Sequence, residues 1–218
     1  TLNLLEAIRF SGKSMKLYNA GSSECFGDTA EIKCFESTPF RPRSPYAVAK
    51  AAAFWEVANY REAYGLFACT GILFNHESPL RPERFVTRKI TAAASRIARG
   101  SEERLLLGNL SISRDWGWAP EYVEAMWAML QQEQPDDFVI ATGANHTLEE
   151  FVDFAFSEVG LNWHDHVRVD PLLFRPTDLK KNRADPSKAV SLLGWRAKHD
   201  MQYVVRMMLA REQVNDNT

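Results

Sequence analysis

Apolar positions along the chain follow two patterns, helical spacing and short continuous runs. Residues 2–8 have helical spacing and precede Gly12, and residues 15–20 then have the pattern of a short strand. Residues 45–64 are rich in alanine and favour a long helix, whereas residues 66–74 form a nearly continuous apolar run typical of a buried parallel strand. This alternation of helices and strands predicts an α/β fold.

The rest of the chain continues the alternation. The pattern predicts helices over residues 85–99, 120–132, 147–159 and 201–214, and short strands over residues 105–107, 138–142 and 167–169. Several large apolar side chains are expected to pack in a core and not to form a cofactor site: Phe151, Phe154, Phe156, Trp195, Met207 and Met208.

The sequence contains no glycine-rich turn of the kind that a doubly wound dinucleotide-binding fold places after its first strand. No group of its 11 glycines has the G-x-G-x-x-G spacing at a strand-to-helix junction. Only two parallel-type strands are predicted before residue 80. We therefore expect the chain to be the C-terminal part of a longer protein, in which roughly 100 upstream residues supply one mononucleotide-binding half.

The composition is that of a globular protein and argues against several functional classes. Of 218 residues, 45% are hydrophobic and 25% charged, and a net charge of -2 with scattered Lys and Arg argues against nucleic-acid binding. Cys25, Cys34 and Cys69 form no C-x-x-C motif and leave an odd count, so neither a disulfide framework nor a metal site is predicted. The absence of a long apolar stretch or a signal-peptide pattern predicts a soluble cytoplasmic protein without a membrane span.

A tyrosine and a lysine four residues apart form the first candidate catalytic pair. Tyr46 and Lys50 would share one face of the helix over residues 45–64, which Ser44 is placed to cap. A free tyrosine keeps its proton at neutral pH, and a neighbouring cation favours the ionised form that can act as a base. The spacing also arises by chance, so a surface helix pair is the alternative.

A hydroxyl and a carboxylate precede this pair in the chain. Ser22 and Glu24 directly follow the strand predicted over residues 15–20. They would therefore lie at the carboxyl end of a parallel strand, where open α/β sheets bind ligands. A turn cap is the alternative for Ser22, and a capping or ion-paired carboxylate is the alternative for Glu24.

The order of these residues resembles that of the extended short-chain dehydrogenase/reductases. The resemblance implies that Tyr46 deprotonates a substrate hydroxyl, that Ser22 hydrogen-bonds the same hydroxyl, and that Lys50 also holds the nicotinamide ribose. Four stretches further resemble the GDP-mannose 4,6-dehydratase family, and the similarity runs along almost the whole chain: residues 22–24, 41–46, 75–79 and 114–117. This family more often has Thr at position 22, which keeps the hydroxyl.

The resemblance implies dehydration of GDP-mannose to GDP-4-keto-6-deoxymannose, the first step of GDP-fucose and related deoxysugar synthesis. Tyr46 would take the proton of the C4 hydroxyl while hydride passes to NADP. Glu24 would remove the C5 proton and assist loss of the C6 hydroxyl as water, and hydride would then return to C6. Glu24 distinguishes a dehydratase, because epimerases and simple reductases need no carboxylate beside the active hydroxyl.

The resemblance also assigns binding residues. His76 and Arg81 would contact NADP together with Tyr46 and Lys50, although a lone histidine after a strand is often structural. Five residues would contact GDP-mannose: Ser23, Asn75, Lys89, Arg114 and Arg175. Lys89 could instead lie on the solvated face of a helix, and Arg114 could form a buried ion pair with Asp115 that fixes a loop.

The implied architecture is a partial Rossmann-type parallel sheet flanked by helices, with a smaller α/β substrate-binding domain. Residues 1–78 and 109–137 would belong to the NADP-binding domain, and residues 79–108 and 138–218 mainly to the substrate domain. The family generally forms homodimers or homotetramers. Two alternatives stay open: a nucleotide-sugar epimerase or reductase of the same fold, and an inactive fragment that lacks the cofactor loop.

Overall fold

The structure is a computed structural model that describes residues 1–29, 32–174, 179 and 181–214, with the backbone alone for residues 213 and 214. Arg175, one of the predicted substrate-binding residues, lies outside the described residues. Helices and parallel strands alternate along the chain, so the predicted α/β class is confirmed.

The described helices are α1 (Leu2–Ser11), α2 (Pro45–Tyr64), α3 (Val86–Ala98), α4 (Ala119–Gln131), α5 (Leu148–Ser157), α6 (Trp163–His166), α7 (Ser187–Leu193) and α8 (Met201–Val214). The described strands are β1 (Leu17–Ala20), β2 (Lys33–Cys34), β3 (Ala68–Leu73), β4 (Asn75–Glu77), β5 (Leu105–Leu107), β6 (Ser113–Arg114), β7 (Trp116–Trp118), β8 (Phe138–Ile140), β9 (His146–Thr147), β10 (Val167–Val169) and β11 (Arg183–Ala184). Two 3-10 helical turns span Ser23–Phe26 and Pro171–Leu173. Within the described residues, no helix combines the length and apolarity that crossing a membrane requires.

Strands β1, β3 and β8 form a parallel sheet with β3 in the middle. Every residue of β3 is buried because helices cover both faces of the strand. Ala68 packs with Leu5 of α1 and Val57 of α2 on one face, whereas Cys69 packs with Tyr122 of α4 on the other. The continuous apolar run of this strand therefore follows from its position between two helical layers.

A second hydrophobic core lies between α3, α5, α8 and the parallel pair of β5 and β10. Phe151 and Phe156 are fully buried in it, and Phe154 packs against it. Met208 is also fully buried. Trp195, which is 7% exposed, packs in the separate core around α4. These side chains are core residues, as the sequence predicts, whereas Met207 is only half-buried.

Local sequence signals give correct element bounds where they are strong. Helix α2 begins at Pro45 and ends at Tyr64, as predicted, because Ser44 Oγ accepts a hydrogen bond from Ala47 N at 3.1 Å and Gly65 ends the helix with a φ of 64°. Strand β3 is shorter than the apolar run over residues 66–74. Strands β4, β6 and β7 are two or three residues long and are not predicted by the pattern, because distant partners create them.

Strand β8 and helix α7 follow residue 137, in the part of the chain that the sequence assigns mainly to the substrate domain. Residues 138–140 of β8 pair with residues 71–73 of β3 in the first sheet. Ala189 of α7 packs in the same core as Phe138 of β8. Both elements therefore pack with the sheet that carries β1 and β3.

An ion pair between the half-buried Arg61 and the buried Asp137 ties α2 to this sheet. Arg61 donates to both carboxylate oxygens of Asp137, at 3.0 and 2.6 Å, and to Ala68 O at 2.9 Å. Asp137 also accepts a hydrogen bond from Thr70 N at 2.8 Å. One carboxylate thus joins helix α2, strand β3 and the start of strand β8.

Replacing Asp137 with Asn keeps the side-chain volume but leaves the Arg61 guanidinium without its counterion. We expect the free energy of unfolding, measured by urea denaturation, to fall by about 3 kcal/mol, as for other broken buried pairs. Glu158→Gln is the control, because it breaks an exposed ion pair with Arg206 and should have little effect. Equal losses in the two variants would contradict the role assigned to Asp137.

Candidate active site

Strands β1 and β3 are parallel neighbours, so their carboxyl ends lie at the same edge of the sheet. An open pocket of 640 Å³ lies at this edge. Its lining consists of the residues after β1, the start of α2, the residues after β3 and the loop before α3: residues 20–24, 44, 46, 50, 73–76, 81 and 85. The pocket therefore brings together the four predicted catalytic residues, Ser22, Glu24, Tyr46 and Lys50.

The segment after β1 forms a 3-10 turn that the loop before α2 packs against. Gly27 follows this turn with a φ of 72°, and a side chain on it would come within 2.2 Å of Arg41 O. Glycine is therefore required for the close approach of the loop. Arg41 N donates to Cys25 O at 2.9 Å. These contacts hold the start of α2 beside Glu24.

Ser22 caps the 3-10 turn and also lines the pocket. Its Oγ accepts a hydrogen bond from Glu24 N at 3.3 Å, as the turn-cap alternative anticipates. This bond uses the hydroxyl oxygen as an acceptor and leaves the hydroxyl proton for donation. The capping role is therefore compatible with a hydrogen bond from Ser22 to a ligand.

Glu24 is exposed and lies beside the N-terminus of α2. Ser44 Oγ donates to Glu24 Oε2 at 3.4 Å and accepts from Ala47 N at 3.1 Å. The same hydroxyl therefore links the carboxylate to the first turn of the helix, where the helix dipole favours a negative charge. A ligand in the pocket can reach this carboxylate.

Tyr46 and Lys50 occupy the first two turns of α2. Tyr46 is 53% exposed, and Lys50 Nζ lies 5.7 Å from the centroid of its ring. Lys50 Nζ also donates to the carbonyl of Ala20, the last residue of β1, at 2.9 Å. The ammonium is thus anchored to the sheet beside the phenol. This arrangement favours the catalytic interpretation over a surface helix pair.

His76 has a fixed ring at the pocket wall. Its Nδ1 is 2.9 Å from Phe74 O, and because a carbonyl oxygen only accepts, Nδ1 carries the proton. The ring stacks on Tyr122 with centroids 4.8 Å apart. Burial lowers the pKa of His76, so the ring is neutral at neutral pH. The backbone contact fits the structural alternative, and Nε2 is the atom left to accept a bond from a ligand.

Arg81 lines the pocket and forms an ion pair with a residue that the sequence pattern does not single out. Its Nε is 3.1 Å from Glu77 Oε2, and its guanidinium carbon is 3.8 Å from the centroid of the Phe85 ring. The sequence signal for Glu77 is weak: it is a carboxylate four residues before an arginine. Its burial depends on β4 pairing with β7, which the local pattern does not reveal.

Two predicted substrate-binding cations lie outside the lining of this pocket. Lys89 Nζ donates to Leu106 O of β5 at 2.7 Å, and Arg114 donates to Leu179 O at 2.6 Å. Their assignment to the substrate stays a prediction. The assignment of Arg175 also stays a prediction, since that residue lies outside the described part of the chain.

Asp115, the neighbour of Arg114, fixes a loop. Its carboxylate accepts hydrogen bonds from Thr142 N at 3.1 Å, Thr142 Oγ1 at 2.8 Å and Gly143 N at 2.7 Å. Burial raises the pKa of Asp115 to about 6. Its hydrogen bonds hold the loop that follows β8.

Solved structures of proteins bound to NADPH or NAD share this fold. RMD from Pseudomonas aeruginosa, complexed with NADPH, is 22% identical with a TM-score of 0.89, over 98% of this chain and 72% of that chain. A UDP-glucose 4-epimerase from Thermus thermophilus, complexed with NAD, is 28% identical with a TM-score of 0.83, over 97% of this chain and 68% of that chain. At 22% identity the first likeness concerns the fold alone.

Sequence comparisons are more specific. The family model for GDP-mannose 4,6 dehydratase matches residues 1–208. GDP-mannose 4,6 dehydratase 1 of Arabidopsis thaliana is 57% identical over 95% of this chain and 58% of the relative. A GDP-mannose 4,6-dehydratase of Vibrio cholerae serotype O1 is 46% identical over 97% of this chain and 65% of the relative. The chain thus spans about three fifths of the length of the curated relatives it matches. With a family match over nearly all of its residues, the chain belongs to the GDP-mannose 4,6-dehydratase family.

Proposed function

We propose that the protein containing this chain dehydrates GDP-mannose to GDP-4-keto-6-deoxymannose, with NADP as the internal carrier of hydride. Membership of the family supports the choice of substrate. The observation that carries the proposal is the meeting of Ser22, Glu24, Tyr46 and Lys50 in one pocket, at the carboxyl ends of two parallel strands.

The residues of the pocket fit the nicotinamide end of NADP. Tyr46, Lys50, His76 and Arg81 all line it and are the residues we propose to hold the cofactor. The Lys50 ammonium offers donors to ribose hydroxyls, and the Arg81 guanidinium offers a fork to phosphate oxygens. When bound, NADP supplies an acceptor for the hydride of sugar C4 and returns that hydride to C6. The NADPH complex of the Pseudomonas aeruginosa RMD supports this choice of cofactor.

The first proton transfer is the task of Tyr46. In its deprotonated form the side chain takes the proton of the C4 hydroxyl, and the Lys50 ammonium lies beside the ring, with Nζ 5.7 Å from the ring centroid. Ser22 donates its free hydroxyl proton to the same oxygen of the sugar and so orients it. The product of this step is a 4-keto sugar, whose carbonyl acidifies the hydrogen at C5.

The elimination is the task of Glu24. Its exposed carboxylate takes the C5 proton and assists departure of the C6 hydroxyl as water, which leaves a double bond between C5 and C6. The proton that Tyr46 took from the C4 hydroxyl would balance the one that returns to C5, and the hydride that NADP supplies at C6 would complete the 6-deoxy product with release of one water. Ser44 donates to this carboxylate and keeps it beside the pocket.

Further contacts complete the proposal. Ser23 and Asn75 line the same pocket and are proposed to contact the sugar. Lys89, Arg114 and Arg175 are proposed to bind the diphosphate. Assembly as a homodimer or homotetramer and a cytoplasmic location stay predictions.

Replacing Glu24 with Gln keeps the size of the side chain but removes the base. We expect formation of GDP-4-keto-6-deoxymannose, followed by NMR, to slow by about 10²- to 10⁴-fold. Glu62→Gln, at an exposed position of α2 outside the pocket lining, should leave the rate unchanged. Full activity of the Glu24 variant would refute the role of this residue, and a C4-epimerised product would indicate an epimerase instead.

Replacing Tyr46 with Phe removes the phenolic oxygen and keeps the ring beside Lys50. We expect kcat to fall by about 10²- to 10⁴-fold, with little change in the affinity for GDP-mannose measured by calorimetry. Tyr64→Phe, an exposed position at the other end of α2, is the matched control. A weaker affinity with unchanged kcat would show that Tyr46 acts in binding alone.

A further inference from the structure

Glu77 is a buried carboxylate that the proposed chemistry does not use. It is the last residue of β4 and is 1% exposed. It lies outside the lining of the pocket, although the neighbouring His76 and Arg81 belong to that lining. Burying a carboxylate is costly unless hydrogen bonds and an opposite charge compensate for the lost water. Its partners therefore indicate what the carboxylate does.

Two side chains meet at one oxygen of this carboxylate, one through a hydrogen bond and the other through an ion pair. Thr87 Oγ1 donates to Glu77 Oε2 at 2.9 Å, and Arg81 Nε lies 3.1 Å from the same oxygen. Thr87 is itself buried on α3, whereas Arg81 lies in the loop that joins β4 to α3. A single oxygen thus connects the strand, the loop and the helix.

The contacts of Arg81 fix the direction of its guanidinium group. Glu77 forms an ion pair with Nε, and the ring of Phe85 lies against the guanidinium with 3.8 Å between the ring centroid and the central carbon. Arg81 and Phe85 both line the pocket. The terminal nitrogens of the guanidinium are the donors that form a fork with phosphate oxygens.

We infer that Glu77 is a positioning residue, which fixes Arg81 at the pocket wall so that its guanidinium can bind an anionic group of the cofactor. The inference rests on the proposed binding of NADP in this pocket. Without Glu77, Arg81 keeps its charge and its contact with Phe85, but its long side chain must be ordered when the ligand binds. If Glu77 only offset the charge of Arg81, its removal would instead strengthen binding of the cofactor, because the arginine would attract an anion more strongly.

The charge of Glu77 can be varied by pH. Burial raises the pKa of Glu77 to about 7, so the carboxylate is ionised above about pH 7 and protonated below it. Burial lowers the pKa of His76 on the same strand and raises that of Tyr122 on α4, so both are uncharged above about pH 7. Trp118, opposite Glu77 in the β4–β7 pair, carries no charge.

The test compares Glu77→Gln with a matched change at a second ion-paired carboxylate, Glu212. Gln keeps the volume and an oxygen that can accept from Thr87, but it loses the ion pair with Arg81. Glu212→Gln is the control, because it breaks the ion pair that joins Arg88 of α3 to α8, outside the pocket lining. Binding of NADPH is measured by fluorescence titration, and melting temperature is measured in parallel, on the protein made from the complete open reading frame.

We expect Glu77→Gln to bind NADPH roughly three- to tenfold more weakly at about pH 8.5, the cost of ordering one long side chain. The control should bind as the wild type does, even if it melts earlier. The difference in NADPH affinity between the wild type and Glu77→Gln should be smaller at about pH 6.5, because the wild-type carboxylate is then largely protonated. A purely structural role for Glu77 would not produce this pH dependence.

Equal or tighter binding of NADPH by the folded Glu77→Gln variant at about pH 8.5 would overturn the inference. If this variant does not fold, Glu77→Asp takes its place, because it keeps the charge but retracts the carboxylate from Arg81 and should weaken binding similarly. Failure of the wild-type protein to bind NADPH would overturn the proposed cofactor as well. If only the inference about Glu77 is wrong, the wild type and the Glu77→Gln variant both bind NADPH, with equal affinity.

Discussion

The parallel pairing of β1 with β3 is the constraint on which the candidate site depends. Because the two strands are neighbours and run in the same direction, the turn that carries Ser22 and Glu24 meets the segment after β3 at one edge of the sheet. Helix α2 lies between the two strands in the chain, and its first turns return to this edge with Tyr46. The bond from Lys50 to the carbonyl of Ala20 then ties the helix to the end of β1.

The two carboxylates near the pocket have contrasting surroundings, which fit the different roles proposed for them. Glu24 is exposed, hydrogen-bonded through Ser44 to the first turn of a helix, and accessible to a substrate. Glu77 is buried, shared between Thr87 and Arg81, and can act on a ligand through the arginine alone. Pairs of titratable groups in different environments are a common basis for dividing tasks within one site.

Sequence patterns predicted the parts of the structure that local interactions determine. The bounds of α2 follow from a serine cap and a terminating glycine, and the apolar run of β3 follows from burial on both faces. The catalytic candidates were also found from sequence, since Ser22, Glu24, Tyr46 and Lys50 follow two local motifs. The two motifs lie close together in the fold because of strand pairing, which the motifs themselves do not predict.

The features that sequence patterns did not predict depend on residues far apart in the chain. Strand β4 exists because it pairs with β7, about 40 residues later, and this pairing buries Glu77. Likewise, Lys89 and Arg114 lie outside the pocket lining, where they donate hydrogen bonds to the carbonyls of Leu106 and Leu179. No local pattern encodes such contacts.

The fate of the hydrogen at sugar C4 tests the proposed reaction most directly. GDP-mannose deuterated at C4 is incubated with the protein and NADP, and NMR locates the deuterium in the product. We predict a 4-keto-6-deoxy sugar with deuterium at C6, because the hydride removed from C4 is the one returned after water is lost. Deuterium restored to C4, or a product that keeps its C6 oxygen, would contradict dehydration at this site.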